Sequence, residues 1–199
     1  MKLFLQILFI SSLFIIFSCK RESENYEEIE LVDDEEYIRL LANILNDTVN
    51  GKILKSNNVV LANKNIVHSP IFHLGEISEI DFLCDILEES DTMFIKNQYK
   101  DSILFDLSNL SKFKFQVYDL KKNIEVKDFD SIQNEIQNIN IENGNPHFLN
   151  HFYMIPRPVI NKKRDRVLIR VNGLVGGETF LAIKTTKSWK KEKIGHWMH

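Results

Sequence analysis

Between residues 158 and 194 the sequence alternates apolar and polar positions and breaks twice at turn-forming residues, a pattern that neighbouring β-strands satisfy. In residues 166–171, Val167, Ile169 and Val171 stand against Leu168 and Arg170, as successive side chains of a strand face opposite sides. Asn161-Lys162-Lys163-Arg164-Asp165 precedes this stretch as a polar turn, and residues 173–177 follow it as a glycine-containing one. Residues 152–155 and 158–160 read as extended, and residues 178–184 and 188–194 as two further strands. Turns this short join antiparallel partners. The C-terminal half is therefore predicted to be a β-meander, closed by Trp189 and Trp197.

Upstream the period changes to that of a helix. Tyr37, Leu40, Leu41, Ile44 and Leu45 fall at i, i+3, i+4, i+7 and i+8, one face of an α-helix. Asp33 or Asp34 is its expected N-cap and Asn50-Gly51 its end. Ser90 or Asp91 caps a second predicted helix containing Met93, Phe94, Asn97 and Gln98. Asp130-Ser131 opens a third, with Ile132, Ile136 and Ile139 on one face, and Asn143-Gly144-Asn145-Pro146 is a break. Short β-rich pieces are expected around residues 59–61 and 66–67, and residues 113–117 alternate like a strand. With 44% hydrophobic residues and 14 Phe the chain can fill a core, which excludes general disorder. The predicted class is α+β, an antiparallel meander in the C-terminal half with about three helices packed on one face.

Residues 1–18 read as an address rather than a fold element. Lys2 precedes an apolar-rich run over residues 3–17, followed by Ser18 and Cys19. These are the charged, apolar and small-residue regions of a secretory signal, shorter than the roughly 20 residues of a spanning helix. Ile16-Phe17-Ser18-Cys19 resembles the lipobox of bacterial lipoproteins. That resemblance implies cleavage before Cys19, acylation (palmitate among the acyl groups) of its sulfur and new amine, and a membrane anchor. An ordinary signal peptide or an uncleaved anchor is the alternative. Residues 20–36 hold nine acids against Lys20 and Arg21, a composition that stays solvated and extended and suits a tether. Lys20-Arg21-Glu22-Ser23-Glu24 also loosely resembles an acidic surface-export signal. Lys20, where many inner-membrane lipoproteins have Asp, favours the outer membrane. The expected layout is signal peptide 1–18, acidic tether 19–36 and a single α+β domain over 37–199.

The C-terminal stretch resembles a group of small bacterial envelope lipoproteins and secreted proteins. The residues that carry the likeness are Arg157-Pro158-Val159-Ile160, the polar turn, Val167-Leu168-Ile169-Arg170-Val171, Gly176-Gly177, Phe180-Leu181-Ala182-Ile183 and Lys187-Ser188-Trp189-Lys190. Phe94-Ile95-Lys96-Asn97-Gln98 fits the same group. These motifs are turns, strands and a core Trp. The resemblance implies a fold and an envelope setting and names no activity.

The chemistry-bearing residues are sparse. With Cys19 lipidated, Cys84 is the only other thiol, so no intramolecular disulfide forms, and a site built of Cys ligands is excluded. Cys84 lies in an apolar string and is expected to be a small buried residue. Asp81, Asp85, Glu88 and Glu89 nearby oppose a thiolate. His147 and His151 are four apart, as zinc-binding pairs on a helix are, but Pro146 precedes them and the segment reads as extended. Neither a metal nor another cofactor is expected. Gly173-Leu174-Val175-Gly176-Gly177 lacks the Lys-Ser/Thr and helix start of a phosphate loop and reads as a β-turn.

Charge is distributed unevenly. The net charge of −3 gives no general case for nucleic acid, yet residues 157–193 hold eleven cations against Asp165, Glu178 and Glu192. Arg157, Arg166, Arg170, Trp189, Lys190 and Lys191 are therefore a candidate binding face for an anionic partner, an envelope protein or anionic lipid. The competing reading is that outward Lys guards sheet edges. The leading functional expectation is a non-enzymatic envelope lipoprotein, anchored at Cys19, that binds or assists another protein. The alternative is a secreted hydrolase or small-ligand binder with a cleft near His147, His151 and Tyr153.

Overall fold

A computed structural model describes residues 33–54, 60–62, 78–100, 105–124, 126–144, 152–173 and 176–198, all within one compact unit, Leu31–His199. The predicted signal peptide, Cys19, most of the tether, the strand piece at 66–67, His147 and His151 lie outside these residues. In chain order the elements are α1 (Asp34–Asn46), β1 (Val60–Ala62), α2 (Glu79–Ile86), α3 (Thr92–Lys100), a 3-10 segment (Leu107–Phe113), β2 (Gln116–Tyr118), α4 (Leu120–Ile124), α5 (Phe129–Glu142), β3 (Phe152–Tyr153), β4 (Val159–Ile160), β5 (Arg166–Asn172), β6 (Gly176–Lys184) and β7 (Trp189–Met198). The class is α+β with a C-terminal antiparallel meander, β4-β5-β6-β7, as the alternation predicts.

The helices begin where short polar side chains can take up free N–H groups. Asp33 accepts from the Glu36 amide at 2.7 Å and caps α1, whose first turn carries Asp34, Glu35 and Glu36, favourable at the positive end of a helix dipole. The buried face of α1 is Tyr37, Ile38, Leu41, Ala42, Ile44 and Leu45. Leu40, expected on that face, is half-buried, and Ile38 takes its place. Asp91 accepts from the Phe94 amide and caps α3. Asp128 does the same for α5 through Ser131, so the cap stands two residues before the predicted Asp130 and the helix begins at Phe129. Helix α2 was not foreseen; Ser78 caps it through Asp81, and its fully buried contact is Leu83.

A strand over residues 113–117 is corrected to Gln116–Tyr118 alone. Phe113 ends the 3-10 segment, and Lys114 turns the chain with φ of 70°, in the left-handed region, which no strand continues through.

The sequence also gave no sign of a second, all-parallel sheet in the order β2-β1-β3. Its strands have only two or three residues each, too few for a periodic signal. Parallel pairs require long crossovers, and the helical segments between the strands supply them. Ala62, Tyr118 and Phe152 from the three strands pack with Leu120, Ile132 and Ile136. Each fully buried isoleucine contributes about 2 kcal/mol of transfer free energy.

The two sheets share a strand path. After β3, Met154 exchanges backbone hydrogen bonds with Asn172 at 2.8 and 2.9 Å, and Val159 then pairs with Leu168. Between these pairs four residues (155–158) oppose three (169–171), which is a bulge. It contains Pro156, Arg157 and Pro158, all buried. Prolines cannot donate to a ladder and are confined to such interruptions.

Candidate binding groove

Helix α1 lies across one end of the meander. The β4–β5 and β6–β7 turns are both at that end, since alternate hairpin turns of an up-and-down sheet lie together, and the Lys184 amide donates to Asp165 O at 2.7 Å to join them. The first of these turns is organised by Asn161, which is 1% exposed. Its Oδ1 accepts from the amides of Asp165 and Arg166, and its Nδ2 donates to Leu87 O at the end of α2. The second turn closes on itself, Thr185 N donating to Ser188 O and Ser188 N to Thr185 Oγ1.

α1 is fastened at both edges of this sheet. Near its N-terminus, Tyr37 donates to Gln98 Oε1 at 2.6 Å. Gln98 is buried; its Oε1 also accepts from Ile160 N and its Nε2 donates to Ile160 O, both at 2.8 Å. A side-chain amide thus occupies the open edge of β4 as a neighbouring strand would, which blocks edge pairing. The Arg157 guanidinium stacks 4.4 Å from the Tyr37 ring centre and reaches Asp34 at 3.2 Å. Burial pushes the Tyr37 phenol well above its ordinary range, and Arg157 pulls it the other way. At the far end, Asp47 accepts from the Trp189 amide at 2.5 Å, and Lys191, its side chain 3% exposed, donates to the carbonyls of Asp47 and Gly51. Burial alone would raise the Asp47 carboxyl, but the amides of Val49 and Trp189 and the Lys191 ammonium hold it below its usual range.

These contacts decide where the six candidate face residues stand. Arg157, Trp189 and Lys191 are engaged inside the fold. Arg166 donates to Ile86 O and pairs with Glu88, capping α2, and Arg170 donates to Asn172. Lys190 is the most exposed of the six and pairs with Glu192 on its own strand. The six are therefore divided: Arg157, Trp189 and Lys191 make contacts within the fold, while the register puts Arg166, Arg170 and Lys190 on one face of the meander. Adjacent strand residues face opposite sides, and charge counted along the sequence carried no information on that.

A different set of polar residues does converge. Two open concavities, of about 410 and 590 Å³, share Asn43 and Lys184 and run as one groove along α1. One part is lined by Asp33, Glu35, Glu36, Arg39 and Arg164. Its charges are matched, Arg164 to Glu36 at 2.5 Å and Arg39 to Glu35 at 3.1 Å. The other part lies between Asn46, Thr48 and Val49 on one side and Lys184, Thr186 and Lys187 on the other. The outward face of α1 (Asn43, Asn46) and the turn residues at 184–188 were the sequence signals for it, but only the fold brings them together.

Of the residues of the enzymatic alternative, the structure describes Tyr153. His147 and His151 lie outside the described residues. Tyr153 is half-buried, and burial, with Glu178 nearby, raises its phenol above the ordinary value. Cys84, expected to be buried, is partly exposed on α2; desolvation and the charges of Asp81, Glu89 and Asp91 push its thiol up, away from a nucleophilic thiolate. Among the described residues no cluster of three His, Cys, Asp or Glu could hold a metal, and no helix is long and apolar enough to cross a membrane. No protein-family model matches the chain, and no curated protein or solved structure matches it either.

Proposed function

We propose that this chain is a non-enzymatic bacterial envelope lipoprotein, anchored through Cys19 at the outer membrane, that uses the α1 groove to bind another envelope protein. The observation that carries the binding role is the groove itself, an open, polar concavity whose walls are fixed by the buried Gln98 and Asp47–Lys191 contacts. A rigid wall loses little conformational freedom on association. The address rests on Ile16-Phe17-Ser18-Cys19 and the acidic residues that follow. Two experiments test the reading. Palmitate labelling of cells should mark the wild-type chain and not Cys19→Ala; equal labelling would remove the anchor. Cross-linking of the full chain in its native cells should recover one protein in near-equal amount, and recovery of lipid alone would overturn the protein-binding role.

A further inference from the structure

The polar groups around the wider part of the groove divide sharply into used and unused. Asp47 is consumed by Trp189 N and Lys191. Asn50 is consumed by Ser188 Oγ at 2.9 Å and Trp189 O at 3.3 Å, and Thr185 and Ser188 by one another. Six side chains are left that make no hydrogen bond or ion pair among the described residues: Asn43, Asn46, Thr48, Lys184, Thr186 and Lys187. They face a single space. Among the described residues, Lys184 and Lys187 are the charged groups lining either concavity that have no counter-charge or hydrogen-bond partner.

We infer that this groove receives an extended acidic segment of a partner polypeptide, its carboxylates on Lys184 and Lys187 and its peptide groups on the amides of Asn43 and Asn46. This rests on the binding role proposed above and names the chemistry of the partner. Charge selects acid, since the unmatched groups are both cations. Shape selects a chain over a small anion. The wider part runs from Asn43 to Val49 along one wall, roughly 10 Å of chain, which an extended segment of about three residues spans without reaching the acids at the other end. Val49, 76% exposed at the groove wall, offers one apolar contact to such a chain. A flat anionic lipid surface fits less well, because Asp33, Glu35 and Glu36 rim the other end and would face its phosphates.

The test uses the full chain in detergent and a fluorescein-labelled decapeptide of alternating Glu and Ser. Lys184→Glu/Lys187→Glu should weaken binding at least about 10-fold, while Lys112→Glu/Lys163→Glu, the same charge change at two exposed sites outside the groove, should stay within about 2-fold. Circular dichroism and thermal melts establish that both variants fold. Absence of peptide binding by the wild-type chain, equal losses in both variants, or retention of inorganic phosphate or phosphatidylglycerol vesicles but not peptide would each overturn the inference. Cross-linking in cells separates it from the broader role. A partner recovered equally by Lys184→Glu/Lys187→Glu leaves the protein-binding role standing and removes the groove as its acidic-segment site.

Discussion

Strands β4 to β7 follow one another over residues 159–198 through connections of five, three and four residues, whereas β1, β2 and β3 are collected from positions 60, 116 and 152. The first group needs little chain entropy to close, because its pairings are local. The second brings together segments more than thirty residues apart for strands that supply few ladder hydrogen bonds. Packing has to compensate, and the fully buried Ile136 and the nearly buried Ile132 of α5 provide it. The two halves thus rest on different interactions, turn chemistry and edge contacts in one, a helix-borne apolar cluster in the other.

The comparison can be broken most severely at the far edge of the meander. Lys191→Met leaves the Asp47 carboxylate nearly buried without its ammonium, and urea denaturation should show a loss of about 4 kcal/mol. Asp47→Asn/Lys191→Met should recover much of it, since no lone charge remains; a single-variant loss below about 1 kcal/mol would mean that the edge contact carries little. The pH dependence follows from the sign of the shift. A carboxyl held below its ordinary 3.8 stabilises the fold above that value, and the contribution is lost as pH falls through the lower folded value. The gap between wild type and Lys191→Met should therefore narrow on acidification from about pH 5 to about pH 2.

Ile136→Ala strikes the other half, with an expected cost of about 3 kcal/mol. Hydrogen exchange then sharpens the contrast. Amides of β1 and β2 should lose more protection than those of β5 and β6, whereas equal losses would make the two sheets one cooperative unit. Gln98→Leu keeps the side-chain bulk but strips the Tyr37 hydroxyl and both polar atoms of Ile160 of their partner. It should cost about 2 kcal/mol in thermal or chemical melts. The smallest effect is expected at the cap of α2, where Ser78→Ala should cost about 1 kcal/mol.

The same division explains what could be read in advance. The meander was legible because residues 166–184 alternate over enough positions to show a period of two and are bounded by turn residues. α1 was legible from its apolar spacing and Asp33, although Leu40 and Ile38 exchanged roles at the margin of the stripe. β1, β2 and β3 were legible only as short extended pieces around 59–61, 113–117 and 152–155; their parallel pairing was not, because two or three residues cannot display a period and a parallel partner leaves no turn signal beside it. Helix α2 does carry a sequence signal, Ser78 followed by Asp81 and then Leu83 and Leu87 buried four apart. Within the basic stretch, Arg157 and Lys191 are drawn inward by Asp34, Tyr37 and Asp47, partners more than a hundred residues away. Lys184 and Lys187, which do share a space, were two names among eleven cations until α1 was placed beside their turn.

The two fastenings of α1 have a mechanical consequence. Tension on the chain ahead of Asp33 enters the fold at the Arg157–Asp34 and Tyr37–Gln98 contacts, beside β4, and reaches Asp47 only through the length of the helix. The attachments are loaded one after the other. A pull has to rupture the near attachment and unwind α1 before the far one bears any force, so the unit would yield in steps and keep its meander paired until the last of them.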